Sequence, residues 1–269
     1  NIRDDASVTA AAHGADAVIN CVGVLDEVGK NTFAAVQADG AARIARIAAQ
    51  LNIPQMVHLS AIGASATSDS EYARTKAQGE EAVRAHMPDA TILRPSIIFG
   101  PEDHFFNRFA GMARLGPILP VIGADTRFQP VYVDDVAAAA VAALDTRSDG
   151  IFELGGPDVQ TFRELMQTML GIIRRRKMIV NTPFWIARIM AAVFGVVQKL
   201  SLGIVRAPVT KDQVVNLGYD NIVSEGAKTL ADLGVTPLAM EAILPDYLWR
   251  FRPSGQYTAI KESAENLRG

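Results

Sequence analysis

The chain has 269 residues, 49% of them apolar and 20% charged, with a formal net charge of −3. That balance fits a soluble globular protein rather than a disordered or membrane-spanning one, and it supplies no broad basic field for nucleic acid. The lone cysteine, Cys21, excludes an internal disulfide, and the scattered His13, His58, His86 and His104 show no metal-ligand spacing, so no metal is expected.

In chain order, NIRDDASVTAAAHGA reads as the tail of a strand, Asn1-Ile2, entering an alanine-rich helix that stops at His13-Gly14. It opens without Met, and further sequence is expected before Asn1. DAVINCVG (16–23) is a short apolar run ended by glycine, a buried-strand signal. TFAAVQADGAARIARIAAQLN carries apolar residues at helical spacing until Pro54 bars continuation. QMVHLSAIGA is a strand and its exit loop, SEYARTKAQGEEAVRAHM a helix closed by Pro88, and ATILRPSIIFG a further strand. RFQPVYVDDVAAAAVAAL is a strand running into a helix, with Asp134 or Asp135 expected as N-cap, and GIFELGGP is a short strand with a tight turn. Strands without polar alternation, interleaved with helices, predict an α/β protein with a parallel sheet covered on both faces.

The texture changes after Pro157. Thr161 and Glu164 have capping-box spacing, and Arg174–Lys177 fall where a helix C-terminus favours cations. In NTPFWIARIMAAVFGVVQKLSL, Thr182 is the expected N-cap and Pro183 the first helical residue. The apolar run 184–197 is interrupted by Arg188 and falls short of the ~20 residues of a spanning helix. It reads as a buried helix, a helix on a membrane or partner surface, or, least in keeping with its length, a span. The expected division is 1–157 and 158–269, with 100–125 contributing to the second part.

The segment EYARTKAQGE places Tyr72 and Lys76 one turn apart on a helix. A phenol with a pKa of about 10 is a poor base near neutrality, and a neighbouring ammonium is expected to favour the phenolate. Such a pair can move a proton on a substrate oxygen while hydride moves at a nicotinamide, with the lysine also bonding the nucleotide ribose. Ligands of open parallel sheets bind outside the carboxyl ends of the strands, so Asn1-Ile2, Cys21-Val22-Gly23, Ser60-Ala61, Tyr72, Lys76 and Arg94–Ile98 are expected to line one crevice. Local alternatives compete: a backbone-bonded hydroxyl for Ser60, small-residue packing for Cys21, plain core for Ile97 and Ile98, and helix capping for VDDVA.

The motifs NIRD, DAVINCVG, VHLSAIGA, YARTK, ILRPSIIFGPED, PVYVDDVA and FELGGP run in one order over 1–157. In that order the sequence resembles the extended and atypical short-chain dehydrogenase/reductases, the NAD-dependent epimerase/dehydratase family. The resemblance implies a Rossmann-like doubly wound parallel sheet, whose Gly-rich strand–turn–helix lies upstream of NIRD, and a small, mostly helical C-terminal domain. It places the family's active serine at Ala61 rather than Ser60.

The stretches SEYARTKAQGEEAVRAHMPDATILRPSIIFGPEDHFFNRFAGM and TKDQVVNLGYDNIVSEGAKTLADLGVTPLAMEAILPDYLWRFR narrow the resemblance. They are similar to the nucleotide-binding accessory subunits of respiratory complex I (alpha subcomplex subunit nine) and their bacterial relatives. That subgroup implies a held NADP(H), with NAD(H) as the other option, and no established turnover. It implies docking on the hydrophilic arm near the quinone site, with 174–200 touching partner or membrane surface. The location implied is the cytoplasmic face of a bacterial inner membrane or the matrix face of the mitochondrial one.

Carried over by position, Asn1 and Ile2 flank the adenine, and Cys21, Val22 and Gly23 back ribose and phosphates. Ser60, Ala61, Tyr72 and Lys76 surround the nicotinamide ribose, and Pro95, Ser96, Ile97 and Ile98 pack by the carboxamide. The broader family implies the alternative of an active reductase, epimerase or dehydratase using Tyr72, Lys76 and Ser60. The short, small-residue stretch AIGASATSDSE before Tyr72 offers little to grip a nucleotide sugar.

Overall fold

The computed structural model describes residues 1–200, 207–253 and 255. Helix α1 (Asp5–Ala12) leads to strand β1 (Val18–Asn20), and a π-helical turn at Ala34–Ala38 runs into α2 (Asp39–Gln50). β2 (Met56–Leu59), α3 (Glu71–His86) and β3 (Thr91–Pro95) follow, then β4 (Ile98–Phe99), α4 (Phe106–Met112), β5 (Ile118–Ile122), β6 (Arg127–Phe128) and β7 (Val131–Tyr132). The rest comprises α5 (Val133–Asp145), β8 (Gly150–Leu154), β9 (Gln160–Thr161), α6 (Phe162–Ile172), β10 (Met178–Thr182), α7 (Phe184–Leu200), α8 (Lys211–Asn216) and α9 (Met240–Leu248).

The central sheet has the order β1-β2-β3-β8, every pair parallel. Alternation along each strand sends Val57, Leu93, Phe152 and Leu154 to the face covered by α5, where they pack with Val136, Ala139 and Ala143. Met56 and Ile92 go to the other face, under Ala45 of α2 and Val83 of α3. Helices on both faces explain why these strands lack a polar alternation. A further core gathers α4, α6 and α9 around Phe106, Phe162, Met166 and Leu244. There Phe105, Phe109, Phe128 and Phe162 stack at centroid distances of 5.3–6.4 Å.

Several local expectations need correction. At the start of the chain Ile2 and Arg3 form a turn, closed by the Arg3 N–H donating to Asn1 Oδ1 and the Asp4 N–H to Asn1 O. Neither aspartate of VDD caps α5, whose N-cap is Tyr132 with no side-chain bond. Both sit in the first turn, and buried Asp135 instead accepts the Leu238 N–H at 2.8 Å, tying a distant segment to α5. Thr182 pairs within β10 and α7 starts at Phe184, because parallel pairing with β5 holds 178–182 extended. The capping box of Thr161 and Glu164 is present at α6.

α7 buries only one face. Ala187 and Ala191 pack against Val214 of α8, whereas Trp185, Ile189, Val193 and Val196, spaced along the opposite face, are exposed. Among the described residues no helix is long and apolar enough to cross a membrane.

Candidate functional site

The registers Asn20↔His58, His58↔Ile92 and Arg94↔Glu153 put Asn20, His58, Arg94 and Glu153 on one face of the sheet. Ser60, two residues beyond His58, continues that row past the end of β2. Above the row lies the inner face of α3, with Tyr72, Lys76 and Glu80 one turn apart. Parallel pairing and helical period thus bring a polar layer together at the carboxyl ends of the strands.

Lys76 is the centre of this layer. It is buried (6% exposed), and its Nζ donates to the last carbonyl of β2, Leu59 O, at 3.1 Å. A Cβ on Gly23 would stand 3.3 Å from Nζ, so glycine there admits the ammonium. Nζ also lies 6.0 Å from the Tyr72 ring centroid. Burial pulls the Lys76 pKa down from 10.5 to about 8, although Glu80 and Cys21 favour its charged form.

Tyr72 is half-buried, with Phe33 edge-on to its ring at 5.9 Å. Its pKa is pushed up from 10.0 to about 12, by burial first and then by the Asp212 carboxylate. This reverses the expectation that Lys76 makes Tyr72 a ready phenolate: desolvation of the phenol and a nearby carboxylate both favour the neutral form. His58 accepts from Asn20 Nδ2 at 3.0 Å on Nδ1, and burial holds its pKa down at about 3, so the ring is neutral. Its Nε2 and the hydroxyl of buried Ser60 have no partner within the described structure. The locally bonded hydroxyl expected for Ser60 is therefore absent, because its side chain faces the polar layer rather than a free carbonyl.

Of the remaining predicted residues, Cys21 and Val22 are exposed beyond β1, with the Val22 N–H on Asn20 Oδ1. Partial desolvation by the surrounding chain nonetheless raises the Cys21 thiol pKa, and Lys76 only partly opposes that. Ala61 is half-buried next to Ser60. Ile2 packs on Gly40 of α2, where a Cβ would come within 2.8 Å of its side chain.

Pro95 accepts the Ile62 N–H at 3.0 Å. Ser96 is committed elsewhere, since its buried hydroxyl bonds Asn221 O at 2.9 Å and Asn221 Oδ1 at 2.7 Å. Ile97 and Ile98 pack against two separate cores. Cys21, Gly23 and Tyr72 thus gather around Lys76, whose acceptor, Leu59 O, is the residue before Ser60. Among the described residues no group of side chains could hold a metal.

Three features of the site were not legible in the sequence. Arg94 donates to Glu80 through Nε (2.9 Å) and Nη2 (2.6 Å) and lies 3.6 Å from Glu153, so the two buried carboxylates flank a half-buried guanidinium. Gln37, in the π-helical turn, bonds Val24 O at 2.7 Å and accepts from Thr75 at 2.9 Å, linking the loop after β1 to α3. Asp212 of α8 reaches the N-terminus of α3. The only sequence signal for it was the Thr210–Gln213 capping box that starts α8.

Residues 1–155 match the family described as "NAD dependent epimerase/dehydratase family". Curated relatives include NADH dehydrogenase [ubiquinone] 1 alpha subcomplex subunit 9, mitochondrial, of Arabidopsis thaliana, 37% identical over 94% of this chain and 65% of the relative. The NADH-ubiquinone oxidoreductase 40 kDa subunit, mitochondrial, of Neurospora crassa is 30% identical over 96% of this chain and 67% of its own length. The chain therefore spans about two thirds of these relatives. Among solved structures, DesIV, a dTDP-glucose 4,6-dehydratase from Streptomyces venezuelae with NAD and TYD bound, superposes with a TM-score of 0.69 at 19% identity. That match covers 97% of this chain and 80% of that one, and it shows a shared fold.

Proposed function

The chain belongs to the NAD-dependent epimerase/dehydratase family, and on that premise we propose that it holds NADP(H), or NAD(H), as a structural or regulatory ligand of an accessory subunit of respiratory complex I. The relatives named as complex I subunits support the assembly. The observation that carries the holding role is the Tyr72–Lys76 pair itself. Lys76 is pinned on Leu59 O beside Gly23, with its charge pointing where a ribose can be bonded. Tyr72, at about 12, is a poor proton donor and acceptor near neutrality. The unpartnered hydroxyl of Ser60 adds a third group for the same ribose. The adenine end is assigned to the side of Asn1 and Ile2, ribose and phosphates to Cys21-Val22-Gly23, the nicotinamide ribose also to Ala61, and the carboxamide to Pro95, Ser96, Ile97 and Ile98.

The exposed apolar face of α7, with exposed Arg188 in its second turn and exposed Arg174 and Arg176 ahead of β10, supports a docking role for 174–200 against partner subunits or the adjoining membrane surface. We assign the protein to the matrix face of the mitochondrial inner membrane or the cytoplasmic face of a bacterial one, next to the quinone site. The test is to purify the full-length protein from detergent-solubilised membranes. Co-migration with complex I carrying about one bound nucleotide per copy supports the reading, and separate migration refutes it.

A second reading, an active reductase, epimerase or dehydratase, is favoured by the intact spacing of Tyr72 and Lys76. A Tyr72→Phe change that leaves every detectable NADPH oxidation rate untouched eliminates it.

A further inference from the structure

A helix leaves its first four N–H groups without internal partners. At α3 the local chain satisfies two of them: Ser70 N–H donates to Ser68 Oγ at 3.1 Å, and Ala73 N–H to Ser70 Oγ at 3.2 Å. The other two are satisfied from far along the chain. Glu71 N–H donates to Asp212 Oδ1 at 2.6 Å, and Tyr72 N–H to Asp212 Oδ2 at 3.3 Å. The buried Ser70 hydroxyl also donates to Asp212 Oδ2, at 2.8 Å. A carboxylate at this end is further favoured by the helix macrodipole.

α8, which carries Asp212, is held on two sides. Its Val214 is buried against Ala187 and Ala191 of α7. Its Gln213 reaches Leu25 O in the loop after β1 at 3.5 Å, and Tyr219, just beyond, reaches Asp69 before α3 at 3.4 Å. The same carboxylate therefore touches the backbone of Tyr72 and belongs to the element on which α7 is seated.

We propose that Asp212 is a positioning residue that clamps the first turn of α3, so that the seating of α8 and α7 and the occupancy of the Tyr72–Lys76 crevice reinforce each other. The clamp fixes the backbone from which Tyr72 projects and, one turn on, Lys76. Reciprocity follows from linkage: if a seated α8 improves nucleotide affinity, bound nucleotide stabilises the seated α8 to the same degree. The proposal rests on the reading that a nicotinamide nucleotide is held there, and it adds a route from that nucleotide to the exposed face of α7.

The experiment uses the full-length protein, its Asp212→Ala and Asp212→Asn variants, NADPH and NADH as probes, and hydrogen exchange of the amides in 68–76, 184–191 and 211–216. In the parent protein nucleotide should slow exchange in all three segments. Asp212→Ala should speed exchange at 68–76 without nucleotide, abolish the nucleotide response of 184–191 and 211–216, and weaken nucleotide affinity about tenfold, the scale of a lost helix cap. Asp212→Asn, which keeps an acceptor for the Glu71 N–H, should recover part of each loss, as a general folding defect would not.

The proposal is overturned if Asp212→Ala leaves exchange at 68–76 and the remote nucleotide response as in the parent. It is equally overturned if affinity is unchanged while both segments loosen. If the parent binds neither nucleotide, the holding function fails instead. The clamp is then judged on exchange without nucleotide, where faster 68–76 and 211–216 in Asp212→Ala with recovery in Asp212→Asn support it and unchanged exchange refutes it.

Discussion

Replacing Lys76 by Met should stabilise the nucleotide-free protein at neutral pH and destabilise it in alkali. The buried ammonium has its pKa drawn from 10.5 to about 8, chiefly by burial. At ~1.36 kcal/mol per pH unit this fall corresponds to roughly 3 kcal/mol by which the folded state disfavours the charge. The sign follows from proton uptake: below about 8 both states are protonated and the whole cost is present, and it disappears as pH rises from about 8 to 10.5.

Met fills nearly the same space but cannot donate to Leu59 O, and losing that bond costs about 1 kcal/mol. The net expectation at pH 7 is a gain of about 2 kcal/mol, turning into a loss of about 1 kcal/mol above pH 10.5. Urea unfolding of both proteins between pH 7 and 11, without nucleotide, reads the difference directly, and Tyr72, common to both, largely cancels. A Met variant that is less stable at pH 7, or a difference that does not change sign with pH, refutes the argument. The same variant should lose nucleotide affinity, so the charge would be retained for binding at the expense of stability.

Other perturbations follow from single contacts. Gly79→Ala places a Cβ 2.3 Å from Gln37 O, so α3 and the π-helical turn must separate. Overpacking of this kind costs about 1–3 kcal/mol, read by denaturant midpoint. Glu80→Ala leaves half-buried Arg94 with Glu153 alone and should cost about 1.5–3 kcal/mol in the same assay, the scale of lost charged hydrogen bonds and more than any exposed ion pair such as Arg127–Asp220. The charged groups set against Tyr72 are Asp212 from α8 and Lys76 on its own helix. Asp212→Asn should therefore move the Tyr72 phenolate absorbance, isolated by subtracting the Tyr72→Phe spectrum, to lower pH than about 12. An unmoved titration would show that burial alone sets it.

The α/β character and the order of helices and strands were legible in the sequence, because unalternating apolar strands between helices of period 3.6 admit few other packings. Tyr72 and Lys76 were legible for a similar reason: helical period alone puts them on one face. The Thr161–Glu164 cap is likewise local and could be read from its spacing.

What depended on tertiary structure was everything set by a partner far away in the chain. Asp135 looked like a cap until Leu238 claimed it, nothing near Ser96 in the sequence foretold Asn221 as the partner of its hydroxyl, and Thr182 looked like a helix cap until β5 paired with it. The ionisation of Tyr72 turned on burial and on Asp212, 140 residues away. Electrostatic and hydrogen-bonding environments are sums over spatial neighbours. Local sequence determines which groups a segment offers, and only the folded chain decides which of them meet.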